Sequence, residues 1–412
     1  MGLLDDVKVL EVAEGLAGPY CSKLLADMGA EVIKIELPGV GDRTRSTGPF
    51  VNDKPHPEGS LVFGYLNTNK KSMALNWRLG SAERILHALI KRSDILVIDE
   101  IARAYDGSIL DLETFKTINP SLVQVSITSF GTASPYKKYK AYDLVAVNMG
   151  GFANALPGHI EDPGSEPPLR PAGQQSEYLA GLYGATAAME GLFARNRFGG
   201  TFLADVSKQE AIASVLKHNI SAYAAQKGKV RPSRANPTTV GLFQRIAVHL
   251  PCADGYICIT MQQERQWKAL LEVIDSIDSP SWIKDERFQS IQSSVEHWDI
   301  LYPLITEDWT KLHKREEIVR AGQAKGVPVG PVNTPADIAR SPQLKARDFF
   351  MEVDHPFMGR VEMPAGPFHY SIGELLPNRP APLLGEHTEM LMMKRLGFTR
   401  AELTEFRASG VV

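Results

Sequence analysis

Short apolar segments alternate with helical stretches through the first third of this chain, and that alternation constrains its fold more than any other feature. "VKVLEVA" (7–13), "EVIKIE" (31–36), "KSMALNW" (71–77), "DILVID" (94–99) and "LVQVSITSF" (122–130) read as buried strands. Between them, "AGPYCSKLLADMGA" (17–30) reads as a helix with Pro19 near its start and Gly29 near its end. "SAERILHALIKRS" (81–93) and the shorter "LETFKTINP" read as two more. Parallel strands need a crossover, and a helix usually supplies it. The expected class is α/β: a doubly wound, mainly parallel, Rossmann-like sheet.

With 412 residues the chain exceeds what one core usually serves, so more than one domain is expected. Gly, Pro and polar residues dominate 131–176, and "ALPGHIEDPGSEPPLRPAG" (155–173) is a loop. "RNRFGGTFLADVSKQEAIASVLKHNISAYAAQ" then reads as a strand and a long helix, and "KGKVRPSRANPTT" (227–239) as a boundary. Beyond it, "HLPCADGYICIT" (249–260) reads as a hairpin turning at Asp254-Gly255, and helices fill much of 261–325. The expected division is 1–226 for the first part of a large doubly wound domain, 227–330 for a smaller α+β domain, and 331–412 for a segment returning to the large one.

Composition excludes several function classes. Lys and Arg number 45 against 48 Asp and Glu, and a net charge of -3 gives no electrostatic case for nucleic acid or an anionic membrane. No apolar run approaches the ~18 residues of a membrane span. The start, "MGLLDDVKVLEVAEG", lacks the basic region of a signal peptide, and Asp6 interrupts a myristoylation motif. Three cysteines, Cys21, Cys252 and Cys258, make no disulfide framework and point to a reducing, cytoplasmic setting. They lack histidines at zinc spacing, so no metal site is expected. The dinucleotide fingerprint fails after the first strand, where Gly15 and Gly18 stand G-x-x-G with Pro19 intruding. A Walker A loop, a G-x-S-x-G elbow and H-E-x-x-H are absent.

One acid stands out. In "GQQSEYLAGLYGATAAMEGLF" (173–193), Glu177 opens a helix that is otherwise apolar or small until Glu190. Leu179, Leu182, Tyr183, Met189 and Phe193 recur at helical spacing, with Ala and Gly between them, so the helix reads as buried on all sides. A first-turn acid complements the helix dipole by ~0.3–1 kcal/mol, which is reason enough for its presence. A carboxylate at a buried helix mouth is also a candidate for chemistry.

Several stretches then decide between those readings. "VLEVAEGLAGPYCSKLLADMGAEVIKIELPGVGD", "LNTNKKSMALN", "KAYDLVAVNMGG", "AGLYGATAAMEGL", "DVSKQEA", "GVPVGPVNTPADIARSPQL" and "PLLGEHTEML" together resemble the class III CoA-transferases, the formyl-CoA/carnitine CoA-transferase family. The resemblance covers nearly the whole chain in the expected order. It implies a large domain built from both chain ends, a smaller domain from the middle, and two protomers threaded through each other as an interlocked dimer. It also implies covalent carboxylate catalysis. An aspartate attacks a donor acyl-CoA to give an anhydride, CoA thiolate returns to form an enzyme thioester, and an acceptor acid takes the CoA. CoA is a co-substrate and not a tightly bound cofactor. The nucleophile's place in the S-x-Y-L-A-G-L stretch falls on Glu177.

The resemblance assigns CoA contacts to Gly15 and Leu16 after the first strand, and to Lys140 and Tyr142 in "KAY". Departures from the pattern are concentrated at the site. Glu replaces the family's Asp, moving a nucleophile by about an angstrom, a displacement that can cost ~100-fold. After the fourth strand, "IDEIARAYDGS" (98–108) puts Asp99 where the family has Asn, with Glu100 beside it, and two acids repel phosphates. Gly107 takes the place of a common Arg, for which Arg103 is the nearest substitute. Arg43 and Arg45 in "GDRTR" read as a solvated basic turn, with phosphate binding the lesser expectation. His159 and Arg170 precede Glu177 in the loop and could meet an acceptor carboxylate.

The expected function is therefore a CoA-transferase chain moving CoA between carboxylic acids. Its altered site suggests the non-catalytic subunit of a heteromer. The succinyl-CoA:benzylsuccinate CoA-transferase of anaerobic toluene breakdown, built from two related chains, is the precedent. The alternatives are an active homodimer with Glu177 as nucleophile, a 2-methylacyl-CoA racemase-like isomerase, and a structural partner that binds no CoA. The racemase branch places a His where Tyr142 stands, so its base is missing. Expected partners are a homologous subunit or a second copy, with acyl-CoA and organic acids as substrates and neither nucleic acid nor membrane.

Overall fold

The structure, a computed structural model, describes residues 2–100, 112–155, 167, 170–225, 227, 239–240, 243–244, 246–373 and 379–412. It forms two compact units: Met1–Phe152 with Ala172–Val215 and Gln343–Val412, and Ala153–Pro171 with Leu216–Pro342.

The first unit is built on strands β1 (Lys8–Val12), β2 (Glu31–Glu36), β3 (Lys70–Ala74), β4 (Ile95–Asp99), β5 (Val123–Thr128) and β6 (Phe202–Ser207). They form one sheet in the order β3-β2-β1-β4-β5-β6, with every pairing parallel. The order reverses between β1 and β4, which opens a crevice at the carboxyl ends of the strands. Helices α1 (Ala17–Asp27), α2 (Leu61–Leu66), α3 (Glu83–Ile90), α4 (Leu112–Ile118), α5 (Asp143–Met149), α6 (Gln175–Phe198) and α7 (Lys208–Val215) lie between or beside them. One face of the sheet packs against α3 and the C-terminal segment through Leu86, Leu391, Phe398 and Val411. The other packs against α1 and α6 through Cys21, Leu25, Ala180 and Ala188. The α/β class expected from the strand–helix alternation is what the chain forms.

Helix α6 corrects one expectation. Its buried side carries Ala180, Gly181, Gly184, Ala185, Ala188 and Gly191. A Cβ on Gly184 would stand 2.8 Å from Ile127 Cδ1, and one on Gly191 2.5 Å from Val123 Cγ1, so only small residues let the helix settle on β5. The large residues Leu182, Tyr183, Met189 and Phe193 face outward, Phe193 being 68% exposed. The helix was expected to be buried on all sides; only its small-residue side is.

The central strands also enclose charges that the strand pattern did not reveal. Glu11 on β1 accepts from Lys34 Nζ at 2.7 Å and from Lys70 Nζ at 2.9 Å, and Lys34 pairs in turn with Asp42 at 2.7 Å. All four are buried. Removing water from each ion costs several kcal/mol, which the closed set of partners offsets.

The second unit contains an antiparallel sheet of Ile246–Cys252, Gly255–Met261 and Val329–Pro331 over a core that includes Trp267, Phe288 and Trp309. Its hairpin pairs Cys252 with Gly255, so the two-residue connection is Ala253–Asp254, one residue earlier than expected. The long helix expected after β6 is two helices, α7 ending at Val215 and Lys217–Ala225 in the second unit. No helix among the described residues is long and apolar enough to cross a membrane.

Candidate active site

Four of the six strands, β1, β4, β5 and β6, each deliver one component at their carboxyl ends. β1 leads through Gly15 (φ +84°) and Leu16 into α1, whose first amide belongs to Ala17. β4 runs directly into Glu100, β5 into Ser129, and β6 into Lys208, the first residue of α7. Ser207 caps α7 by accepting from the Glu210 amide at 3.3 Å, which fixes the turn that presents Lys208. The fifth component, Glu177, sits in the first turn of α6.

These groups meet around the Glu177 carboxylate, which is 4% exposed. The Ala17 amide donates to its Oε2 at 3.2 Å, and Lys208 Nζ donates to its Oε1 at 2.9 Å. Lys208 also reaches Glu100 Oε1 at 3.3 Å. Glu100 is itself held by the Ser129 amide and hydroxyl, each donating at 3.0 Å. Burial works against the Lys208 charge, but Glu177 and Glu100 outweigh it and hold its pKa above the ordinary lysine value.

The surrounding contacts position the helix mouth. Asp143, in the first turn of α5, accepts from the Ser176 amide at 2.9 Å and from the Ser176 hydroxyl at 2.8 Å. It therefore supplies the N-terminal partner that Gln174 does not. Tyr178 meets Tyr20 of α1 edge-on, with ring centroids 4.9 Å apart.

The sequence-predicted residues divide clearly. Glu177, Gly15 and Leu16 come together, since the turn holding Gly15 and Leu16 feeds the amide that binds Glu177. Tyr142 and Lys140 are exposed and belong to the segment that Asp143 ties to the same helix mouth. Arg103, Gly107 and His159 lie outside the described residues, and Arg170 is exposed. Asp99 and Glu100 are not bare phosphate-facing acids. Asp99 is buried and accepts from the Glu14 amide at 2.8 Å, and Glu100 is engaged by Ser129 and Lys208. Arg45 is not solvated but wholly buried, donating to both oxygens of Glu36 at 2.7 and 2.9 Å. Arg43 is exposed and lies against Gly15, where a Cβ would come within 2.2 Å of its guanidinium. Lys208 and Asp143 went unrecognised in the sequence. The one available signal for Lys208 was its place at a strand-to-helix junction in "DVSKQEA".

Chemically, the arrangement is a desolvated carboxylate with, among the described residues, one donor on each oxygen and a second, fixed carboxylate behind the cation. Such a group can act as a covalent nucleophile whose remaining oxygen is stabilised as charge moves.

Residues 4–388 match the profile of CoA-transferase family III. The chain is 28% identical to the human succinyl-CoA:glutarate CoA-transferase over 99% of its own length and 90% of the relative's. It is 27% identical to the BbsE subunit of the succinyl-CoA:(R)-benzylsuccinate CoA-transferase of Thauera aromatica, covering 97% of this chain and 95% of that one. Among solved structures, a CaiB/BaiF family protein from Brucella suis superposes with a TM-score of 0.82 at 29% identity, over 95% of this chain and 99% of that chain. The profile match over nearly the full length and the shared fold agree: the chain belongs to CoA-transferase family III.

Proposed function

We propose that this chain transfers CoA from an acyl-CoA donor to a carboxylic acid acceptor through acyl and CoA adducts on Glu177. One observation carries the reading: the buried Glu177 carboxylate is gripped by a backbone amide on one oxygen and an ammonium on the other, at the carboxyl ends of the parallel strands. A carboxylate is a weak nucleophile, and desolvation with fixed orientation is what makes it competent. Lys208 also answers the objection to glutamate. The longer side chain reaches a cation that locks its terminal group. Arg43, Lys140 and Tyr142 are the exposed polar groups proposed to contact CoA, with the Gly15–Leu16 turn beside them.

The experiment incubates the purified chain with succinyl-CoA, the donor named in both relatives, then adds hydroxylamine or borohydride and maps modified carboxylates by mass spectrometry. Modification of Glu177 supports the proposal. The similarity to a protein named as a CoA-transferase subunit and the outward apolar side of α6 favour a second reading, in which the chain works beside a homologous, aspartate-bearing partner. In that case Glu177 stays unmodified and turnover appears only when the partner is added. Failure to bind CoA in either assembly overturns both.

A further inference from the structure

We propose that Lys208 is a catalytic residue, the donor that stabilises the oxyanion formed on Glu177 itself, and that Glu100 holds its charge while Glu177 is acylated. This inference rests on the covalent role of Glu177 proposed above. Among the described residues, the two donors on Glu177 are unequal: the Ala17 amide is neutral and 3.2 Å away, whereas Lys208 is charged and 2.9 Å away. Charge-assisted hydrogen bonds are roughly twice as strong as neutral ones. The attacking oxygen is therefore Oε2, which sheds the weaker donor, and Oε1 remains against Lys208.

The steps follow from that choice. Oε2 attacks the thioester carbon of the donor; the O–C bond forms, the C–S bond breaks, and CoA leaves as thiolate. The thiolate attacks Cδ of the resulting anhydride, the S–Cδ bond forms, and the donor acid departs with Oε2 and its electron pair. The acceptor carboxylate attacks Cδ and releases the thiolate, which then attacks the acceptor's acyl carbon and leaves Glu177 a carboxylate again. No proton is taken up or lost. Both attacks on Cδ place negative charge on Oε1, where Lys208 already donates.

Acylation also removes the Glu177 charge and would leave a buried ammonium without its counter-ion, which is strongly unfavourable. Glu100, 3.3 Å from the same nitrogen and fixed by two hydrogen bonds from Ser129, supplies the compensating charge without movement of the chain. Lys208 thus stays charged and in place in every intermediate.

The test compares Lys208→Met, Lys208→Arg and Lys208→Met/Glu100→Gln with the wild type in kcat, KM, thermal midpoint and trapping at Glu177. Loss of one oxyanion donor predicts that Lys208→Met lowers kcat by ~100–1,000-fold, with KM within a few-fold. Lys208→Arg, which keeps the charge, recovers part of that loss. Adding Glu100→Gln moves the midpoint back toward wild type by removing an unpaired charge but leaves kcat low, a separation that a merely structural lysine does not produce. A Lys208→Met enzyme, or the double variant if the single one does not fold, with kcat within about threefold of wild type overturns the inference while trapping at Glu177 persists. Absence of wild-type trapping at Glu177 instead defeats the underlying reading, and the inference with it.

Discussion

Glu14, one residue before the Gly15–Leu16 turn, reports on the electrostatics of the crevice. Burial, joined by the nearby Asp42 and Asp99 carboxylates, pushes its pKa up to about 6. A carboxyl with a folded-state pKa above its unfolded value binds a proton more readily when folded, so its contribution is most favourable at low pH and is lost as pH rises through about 6. Glu14→Gln is therefore expected to stabilise the protein by about 1 kcal/mol at neutral pH, after discounting for partial exposure. The gain should vanish as pH falls from about 6 to 4.5, read as thermal midpoint against pH. An equal effect at both ends of that window contradicts the assignment. At this scale the sequence was only partly legible. Glu177 announced itself as a first-turn acid before an apolar helix. Lys208 did not, because it lies 31 residues away and a lone lysine after a strand ordinarily points to water.

Helix α6 couples packing to the site through its small residues. A Cβ on Gly181 would stand 2.7 Å from the Ala17 carbonyl oxygen and 3.0 Å from the Tyr20 ring, and the backbone oxygen cannot swing aside. Gly181→Ala gains about 1 kcal/mol in helix propensity but meets an overpacking cost of typically 1–3 kcal/mol. The expected outcome is a lower thermal midpoint and reduced kcat, since the displaced neighbour is the residue whose amide binds Glu177. A variant with raised midpoint and unchanged kcat contradicts this account of α6. Elements were the most legible scale: strand positions followed from the apolar alternation, because parallel strands buried on both faces leave that trace. The orientation of α6 was not legible, since from Tyr178 to Met189 it carries no charge, and periodicity alone does not tell a small-residue face from a large-residue one.

For the whole molecule, the outward side of α6 presents Leu182, Tyr183, Met189 and Phe193, with Phe198 75% exposed at its end. We propose this exposed apolar side as an interaction surface. The proposed partner is a second copy or a homologous subunit, and Phe193→Glu is expected to shift the assembled species toward single chains in light scattering coupled to size exclusion. Unchanged assembly excludes this face from the contact. Nothing in a local pattern says which distant elements the C-terminal segment packs against, so its place in the first unit was not legible from the residues themselves. The main-chain bonds from Asn76 to Val411 at 2.7 Å and from His387 to Ser72 at 3.0 Å are long-range facts of the fold.

If Glu177 is acylated and released in each cycle, oxygen passes from the acceptor acid to its carboxylate. With an acceptor acid labelled in its carboxylate by heavy oxygen, each turnover should leave one labelled oxygen on Glu177, found on the peptide that carries it. Sustained turnover with label absent from Glu177 would rule out a covalent role for its carboxylate.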